Sequence, residues 1–203
     1  MRHMWNDYRL TPEALAAKSD ALAGKCGAHV QIGRSVLRAH CRSVEFPPFI
    51  VDNQKRILFV CTGNICRSAM AEHLLRHLAK ERGLDLETAS AGIAAEPYYE
   101  VPEAAKRLLA AEGVPPFTHK ARLATREVLR WADLILVMTA QHHDHIVELY
   151  PEFASRTRLF REAAGFGDQD VEDPMSRPDE VFARCRAVIR ESLEALLRMN
   201  FVQ

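Results

Sequence analysis

The 203-residue chain carries 27 basic and 27 acidic side chains, a formal net charge of zero, and so lacks the positive excess that marks nucleic-acid binders. Its 48% hydrophobic and 27% charged residues are the balance of a globular protein with one sizeable core, while five cysteines, an odd number, do not make a secreted disulfide framework. Arg2, Asp7, Arg9, Glu13, Lys18 and Asp20 break any signal-like apolar start, and no run approaches the roughly 20 apolar residues of a membrane-spanning helix. A protein of the reducing cytoplasm, without nucleic-acid or membrane partners, is the expectation.

Residues 1–54 read as an N-terminal extension, poorly ordered or partly helical. Thr11 and Pro12 suit a helix start and Gly24 a stop, while Phe46-Pro47-Pro48-Phe49 suits an extended linker. Residues 55–203 read as one domain. Arg56–Cys61 is a short continuous apolar run, the mark of a strand buried on both faces. Residues 68–82 place Met70, Leu74 and Leu78 at helical spacing before Gly83. A strand is expected over Leu86–Ala91, a helix over Pro102–Glu112 stopped by Gly113, and a short helix over Thr125–Ala132.

Asp133–Met138 (DLILVM) is the clearest strand, Thr139 caps a helix reaching Tyr150, and Thr157–Phe160 suits a fourth strand. Pro178 opens a last helix with Val181, Phe182, Cys185, Val188, Ile189, Leu193 and Leu196 on one stripe. Strands alternating with helices imply an α/β fold: an open parallel sheet of about four strands with helices on both faces.

The chemistry concentrates in Cys61-Thr62-Gly63-Asn64-Ile65-Cys66-Arg67-Ser68, between the first strand and the first helix. In open α/β sheets ligands bind where strands end and helices begin, and a helix N-terminus offers free N–H groups to an anion. Gly63 and Asn64 tolerate positive φ, so the loop can curl into an anion nest holding a phosphate. Cys61 stands at its base, where the amides, the helix terminus and the Ser68 hydroxyl favour the nucleophilic thiolate. Arg67 can return across the loop and grip two phosphate oxygens with its planar fork.

Cysteine, five residues, then arginine is the loop of cysteine-dependent phosphatases, and CTGNICRS followed by Met70-Ala71-Glu72 resembles the low-molecular-weight protein tyrosine phosphatase family. The resemblance covers about residues 56–198 and leans toward bacterial members, including the protein-arginine phosphatases. It implies hydrolysis of phosphotyrosine in proteins through a phosphocysteine, with no cofactor or metal and a monomeric enzyme. It makes Cys61 the nucleophile, Arg67 the phosphate clamp and Asp173, in Asp173-Pro174, the general acid. It lines the cradle with Thr62, Gly63, Asn64, Ile65 and Cys66, and gives Ser68 and Ser90 supporting roles, Ser90 holding Asn64. Asp173 also suits the chemistry, because a tyrosyl oxygen with a pKa near 10 leaves far more easily when protonated.

Several alternatives stay open. Cys66 either packs beneath the loop or, as in the family, pairs reversibly with the nucleophile. Cys61, Cys66, His73 and His77 have a zinc-like order with too short a spacer, and those two histidines otherwise belong on a solvated helix face. Gln141–His145 reads as an exposed helix turn without a role. An arsenate reductase would need relay cysteines, which are missing between Cys66 and Cys185. A phosphate-binding module without catalysis would need no acid.

For substrate, Ile65 suits the flank of an aromatic ring, whereas the arginine-directed relatives resemble threonine there. Met175-Ser176 stands where tyrosine-directed members carry aromatic residues, and Ala69 replaces the usual proline. Tyr98 and Tyr99 offer another pocket wall.

Overall fold

The computed structural model describes residues 56–201, so the helix start, stop and linker expected in residues 1–54 lie outside the described residues. β1 (Arg56–Cys61) is buried at every residue after Arg56. Alternation along a strand sends successive side chains to opposite faces, and β1 shows it. Ile57, Phe59 and Cys61 join one apolar cluster with α1 (Arg67–Glu81), α2 (Glu103–Ala111) and α6 (Asp179–Phe201), while Leu58 and Val60 join a second with α3 (Arg126–Trp131) and α4 (Ala140–Leu149). Two clusters on two faces are what a continuous apolar strand demands.

β2 (Glu87–Gly92), β3 (Leu134–Val137) and β4 (Thr157–Leu159) complete the sheet in the order β2-β1-β3-β4, every pairing parallel. The chain leaves β1 for β2 on one side and later enters β3 on the other. The topological switch point therefore lies between the ends of β1 and β3, the place where such sheets bind ligands. The loop beginning at Cys61 and the segment after Val137 both open there.

Three details differ from the sequence-based expectation. Asp133 is not a strand residue: its carboxylate accepts from the Arg56 backbone N–H at 3.0 Å and from Arg56 Nη2 at 2.7 Å, clamping the starts of β1 and β3. A 3-10 turn (Pro151–Arg156) precedes β4, and Phe160 leaves the sheet to begin α5 (Phe160–Ala163). Its ring meets Phe59 edge-on, with centroids 5.4 Å apart, so burial against β1 and not strand continuation decides its place. Among the described residues no helix is long and apolar enough to cross a membrane.

Candidate active site

Cys61 closes β1, and the chain bends through residues 62–66 before α1 starts at Arg67. Cys66 gives that helix no side-chain cap, which leaves its first N–H groups available to an anion. Asn64 takes the left-handed conformation the curl requires, with φ of 57°, while Gly63 does not share it. Asn64 can hold that conformation because its polar groups are engaged on all sides. Its Nδ2 donates to Ser68 Oγ at 3.0 Å and to Ser90 Oγ at 2.7 Å, and its Oδ1 accepts from the Arg122 backbone at 3.0 Å. His119 Nε2 donates to its backbone carbonyl at 2.7 Å, and Ser90 in turn donates to Glu72. Ser90 is thus in hydrogen-bond contact with Asn64, and Glu72, His119 and Arg122 join the same network without having been legible in the sequence.

Gly92 fixes the loop from behind. A Cβ there would fall 2.4 Å from the Thr62 carbonyl oxygen and 2.8 Å from the Asn64 nitrogen, so only glycine lets the end of β2 lie this close. The sheet continues into the loop through Ile93 N–H to the Cys61 carbonyl and Ala94 N–H to that of Thr62, both 2.9 Å.

Cys61 Sγ lies 2.9 Å from Ser68 Oγ. With the Asn64 amide occupying that oxygen as an acceptor, the serine proton is directed at sulfur and stabilises a thiolate. Arg67, 4% exposed, donates through Nη1 to the Val171 carbonyl at 3.3 Å and through Nη2 to Thr62 Oγ1 at 3.2 Å and Asp173 Oδ2 at 2.5 Å. Its buried Nε has no hydrogen-bond partner among the described residues. A buried donor left unmade is costly, and an oxyanion in the cradle would satisfy it. Asp173 is about half exposed, and its other oxygen accepts from the Met175 N–H at 3.1 Å. Arg67 and Asp173, 106 residues apart in the chain, thereby meet beside the loop that Cys61 begins.

Ile65 is buried, and its side chain, with Tyr99, flanks Gly63: a methyl there would lie 3.6 Å from Ile65 Cγ1 and 3.9 Å from Tyr99 Cδ2. Tyr98 is exposed and meets the Tyr99 ring edge-on. Cys66 is a buried free thiol pushed up to about 12, first by burial and then by Cys61 and Asp173. Its Sγ lies 3.8 Å from the sulfur of Met175.

His142 corrects the reading of Gln141–His145 as an exposed turn, for it is buried. Thr139 caps α4, accepting from the His142 N–H at 3.2 Å, and its hydroxyl then donates to Nδ1 at 2.9 Å. Nε2–H is left to donate to Thr62 Oγ1 at 3.0 Å. The ring thus ties α4 to the loop and, through Thr62, to Arg67. Its position three residues after a capping threonine was the available signal.

Burial, followed by the Arg67 charge and His145, lowers the His142 pKa to about 3. An unfolded histidine takes its proton near 6.5, so this group's contribution is complete above about pH 6.5 and is lost as pH falls toward the folded value. Between pH 6.5 and 5, urea unfolding should show the wild type losing about 1–2 kcal/mol more than His142→Leu.

His73 also departs from its expected solvated face. It is buried, stacked on Phe117 with centroids 3.7 Å apart, because the segment after α2 folds over α1. His77 instead lies 3.4 Å from Glu81. The zinc-like set of Cys61, Cys66, His73 and His77 is not assembled among the described residues.

Residues 56–202 match the family described as low molecular weight phosphotyrosine protein phosphatase. The chain is 37% identical to a protein-arginine-phosphatase of Geobacillus stearothermophilus, across 70% of this chain and 90% of that one. It is 36% identical to the low molecular weight protein-tyrosine-phosphatase Wzb of Escherichia coli K12, across 67% and 88%. It also resembles the solved YwlE arginine phosphatase in a cysteine-to-serine mutant with a phosphorylated active-site serine, at a TM-score of 0.68 and 31% identity, covering 70% of this chain and 93% of that one. Since the family match runs through the whole described domain, the chain belongs to the low molecular weight phosphotyrosine protein phosphatase family.

Proposed function

We propose that this protein hydrolyses phosphotyrosine in phosphorylated proteins through a phosphocysteine on Cys61. The observation that carries the reading is one loop that begins at a Cys61 thiol held by Ser68 and ends at an Arg67 guanidinium, which keeps one buried N–H unpaired and has the Asp173 carboxyl 2.5 Å away. The Cys61 thiolate attacks phosphorus while Asp173 gives a proton to the leaving tyrosyl oxygen. Arg67 neutralises the equatorial oxygens as they gain charge. Water then attacks the phosphocysteine, Asp173 takes its proton, and phosphate leaves. None of these steps calls for a metal or cofactor. The phosphorylated serine in the YwlE relative supports covalent transfer at this position. Cys61, Cys66 and Cys185 are free thiols, which suits a nucleophilic thiol working in the reducing cytoplasm.

The apolar pair Ile65 and Tyr99 beside Gly63 supports an aromatic phosphoester. A second reading, phosphoarginine, is favoured by the similarity to protein-arginine-phosphatases and by the half-exposed Asp173 carboxylate, which can accept from a guanidinium. Parallel assays on phosphotyrosine and phosphoarginine peptides decide between them. The wild type should favour phosphotyrosine in kcat/KM, with Ile65→Thr narrowing the preference; a wild-type preference for phosphoarginine would move the assignment to that substrate.

A further inference from the structure

A cavity of about 400 Å³ opens beside the Asn64 network, lined among others by Glu72, His73, Arg76, His119, Lys120 and Arg122. Three potential ligand atoms converge on it. His73 Nε2 is 3.2 Å from His119 Nδ1, His119 Nδ1 is 3.9 Å from Glu72 Oε2, and all three lie within 4.8 Å of one another. Ligands bound at roughly 2.0–2.2 Å to one ion are separated by about 3–4 Å, so the side chains are nearly in place.

The surroundings complete the case. His119 Nε2–H donates to the Asn64 carbonyl, which fixes the tautomer with Nδ1 bare and directed at the other two groups. A backbone carbonyl behind a histidine is the usual support of a metal-bound imidazole. His73 presents Nε2 to His119 Nδ1 from α1, where its ring is buried. The Phe117 ring closes one side of it.

We propose that Glu72, His73 and His119 form a site for a borderline divalent transition metal, with zinc as the reference ion and the remaining coordination open to the cavity. Binding exchanges the His73 Nε2–H···Nδ1 His119 hydrogen bond for two bonds to the ion, and the His73 proton moves to Nδ1. That nitrogen now accepts from Arg76 Nη1 at 3.1 Å, and Arg76 Nη2 also holds Glu72 Oε1 and the Thr88 carbonyl, so Arg76 must turn away, as its half-exposed side chain can, while Ser90 keeps one lone pair of Glu72 Oε2 and the ion takes another. Arg76 is therefore the built-in competitor of the ion, in charge and in geometry. Through His119 the site reports directly on the Asn64 carbonyl and hence on the phosphate loop.

The test uses the full chain carrying Cys61→Ser, which removes the active-site thiolate. Zinc binding by calorimetry should be at least tenfold weaker when His73→Gln is added and tighter when Arg76→Met is added. Cobalt should give visible d–d bands of a nitrogen and oxygen ligand set, without thiolate charge transfer. Zinc should raise Tm in the Cys61→Ser protein and fail to do so once His73→Gln is added. Zinc affinity that ignores His73→Gln, an Arg76→Met variant that binds no tighter, or cobalt bands with thiolate charge transfer would each overturn the site.

Discussion

Cys61→Ser is expected to lower kcat on phosphotyrosine by about 10⁶-fold, the scale seen when an enzyme loses its nucleophile alone, while inorganic phosphate still binds. The reason lies in how the sulfur is held. Among the described residues its hydrogen-bond partner is Ser68, a hydroxyl and not a base. With no base beside it the residue must rely on its own nucleophilicity, which suffices for sulfur and not for an alcohol. Arg67, the start of α1 and the Asn64 network are untouched by the change, so the cradle keeps its affinity. Steady-state assays with phosphate competition read both halves, and wild-type turnover in the variant would remove Cys61 from the mechanism.

Asp173→Asn should reduce the first chemical step on phosphotyrosine by roughly 10²–10⁴-fold, the usual worth of a positioned acid. The loss should be much smaller with an activated aryl phosphate, whose leaving oxygen needs little help. Single-turnover quench-flow on the two esters makes the comparison, and an equal loss on both would show that Asp173 does not donate the proton. A second effect has the opposite sign. Asp173 holds Arg67 at 2.5 Å in the free protein, so an incoming phosphate must displace a carboxylate from the guanidinium. Asparagine keeps the shape without the charge, and product phosphate should inhibit the variant more tightly.

The sheet and most helices were legible because their residues obey one period each. Ile57–Cys61 and Leu134–Val137 allow no exposed face, and the stripe from Val181 to Leu196 allows only one buried face. The loop from Cys61 to Arg67 and the Asp173-Pro174 pair were legible as candidates, Asp173 chiefly through family resemblance. The 2.5 Å pairing of Arg67 with Asp173 was not, since it depends on how residues 165–178 cross the sheet, anchored by Val171 N–H to the Met138 carbonyl at 2.8 Å. Nor were the roles of Glu72, His119, Arg122 and His142. Glu72 and His142 are polar residues buried by elements distant in sequence, which helical periodicity assigns to solvent, and His119 and Arg122 reach the loop from a segment outside any helix. His73 shows the same limit: its helix face is covered by Phe117, which no pattern within residues 68–82 could announce.

The close approach at Gly92 means that the octapeptide from Cys61 to Ser68 does not own its shape. Backbone from the neighbouring strand serves as the mould against which Thr62 and Asn64 are pressed. A fragment ending at Glu81 would retain sulfur, guanidinium and helix yet lack the surface that curls them around an anion. The curl of the loop and the pairing of β1 with its edge strand therefore stand or fall together.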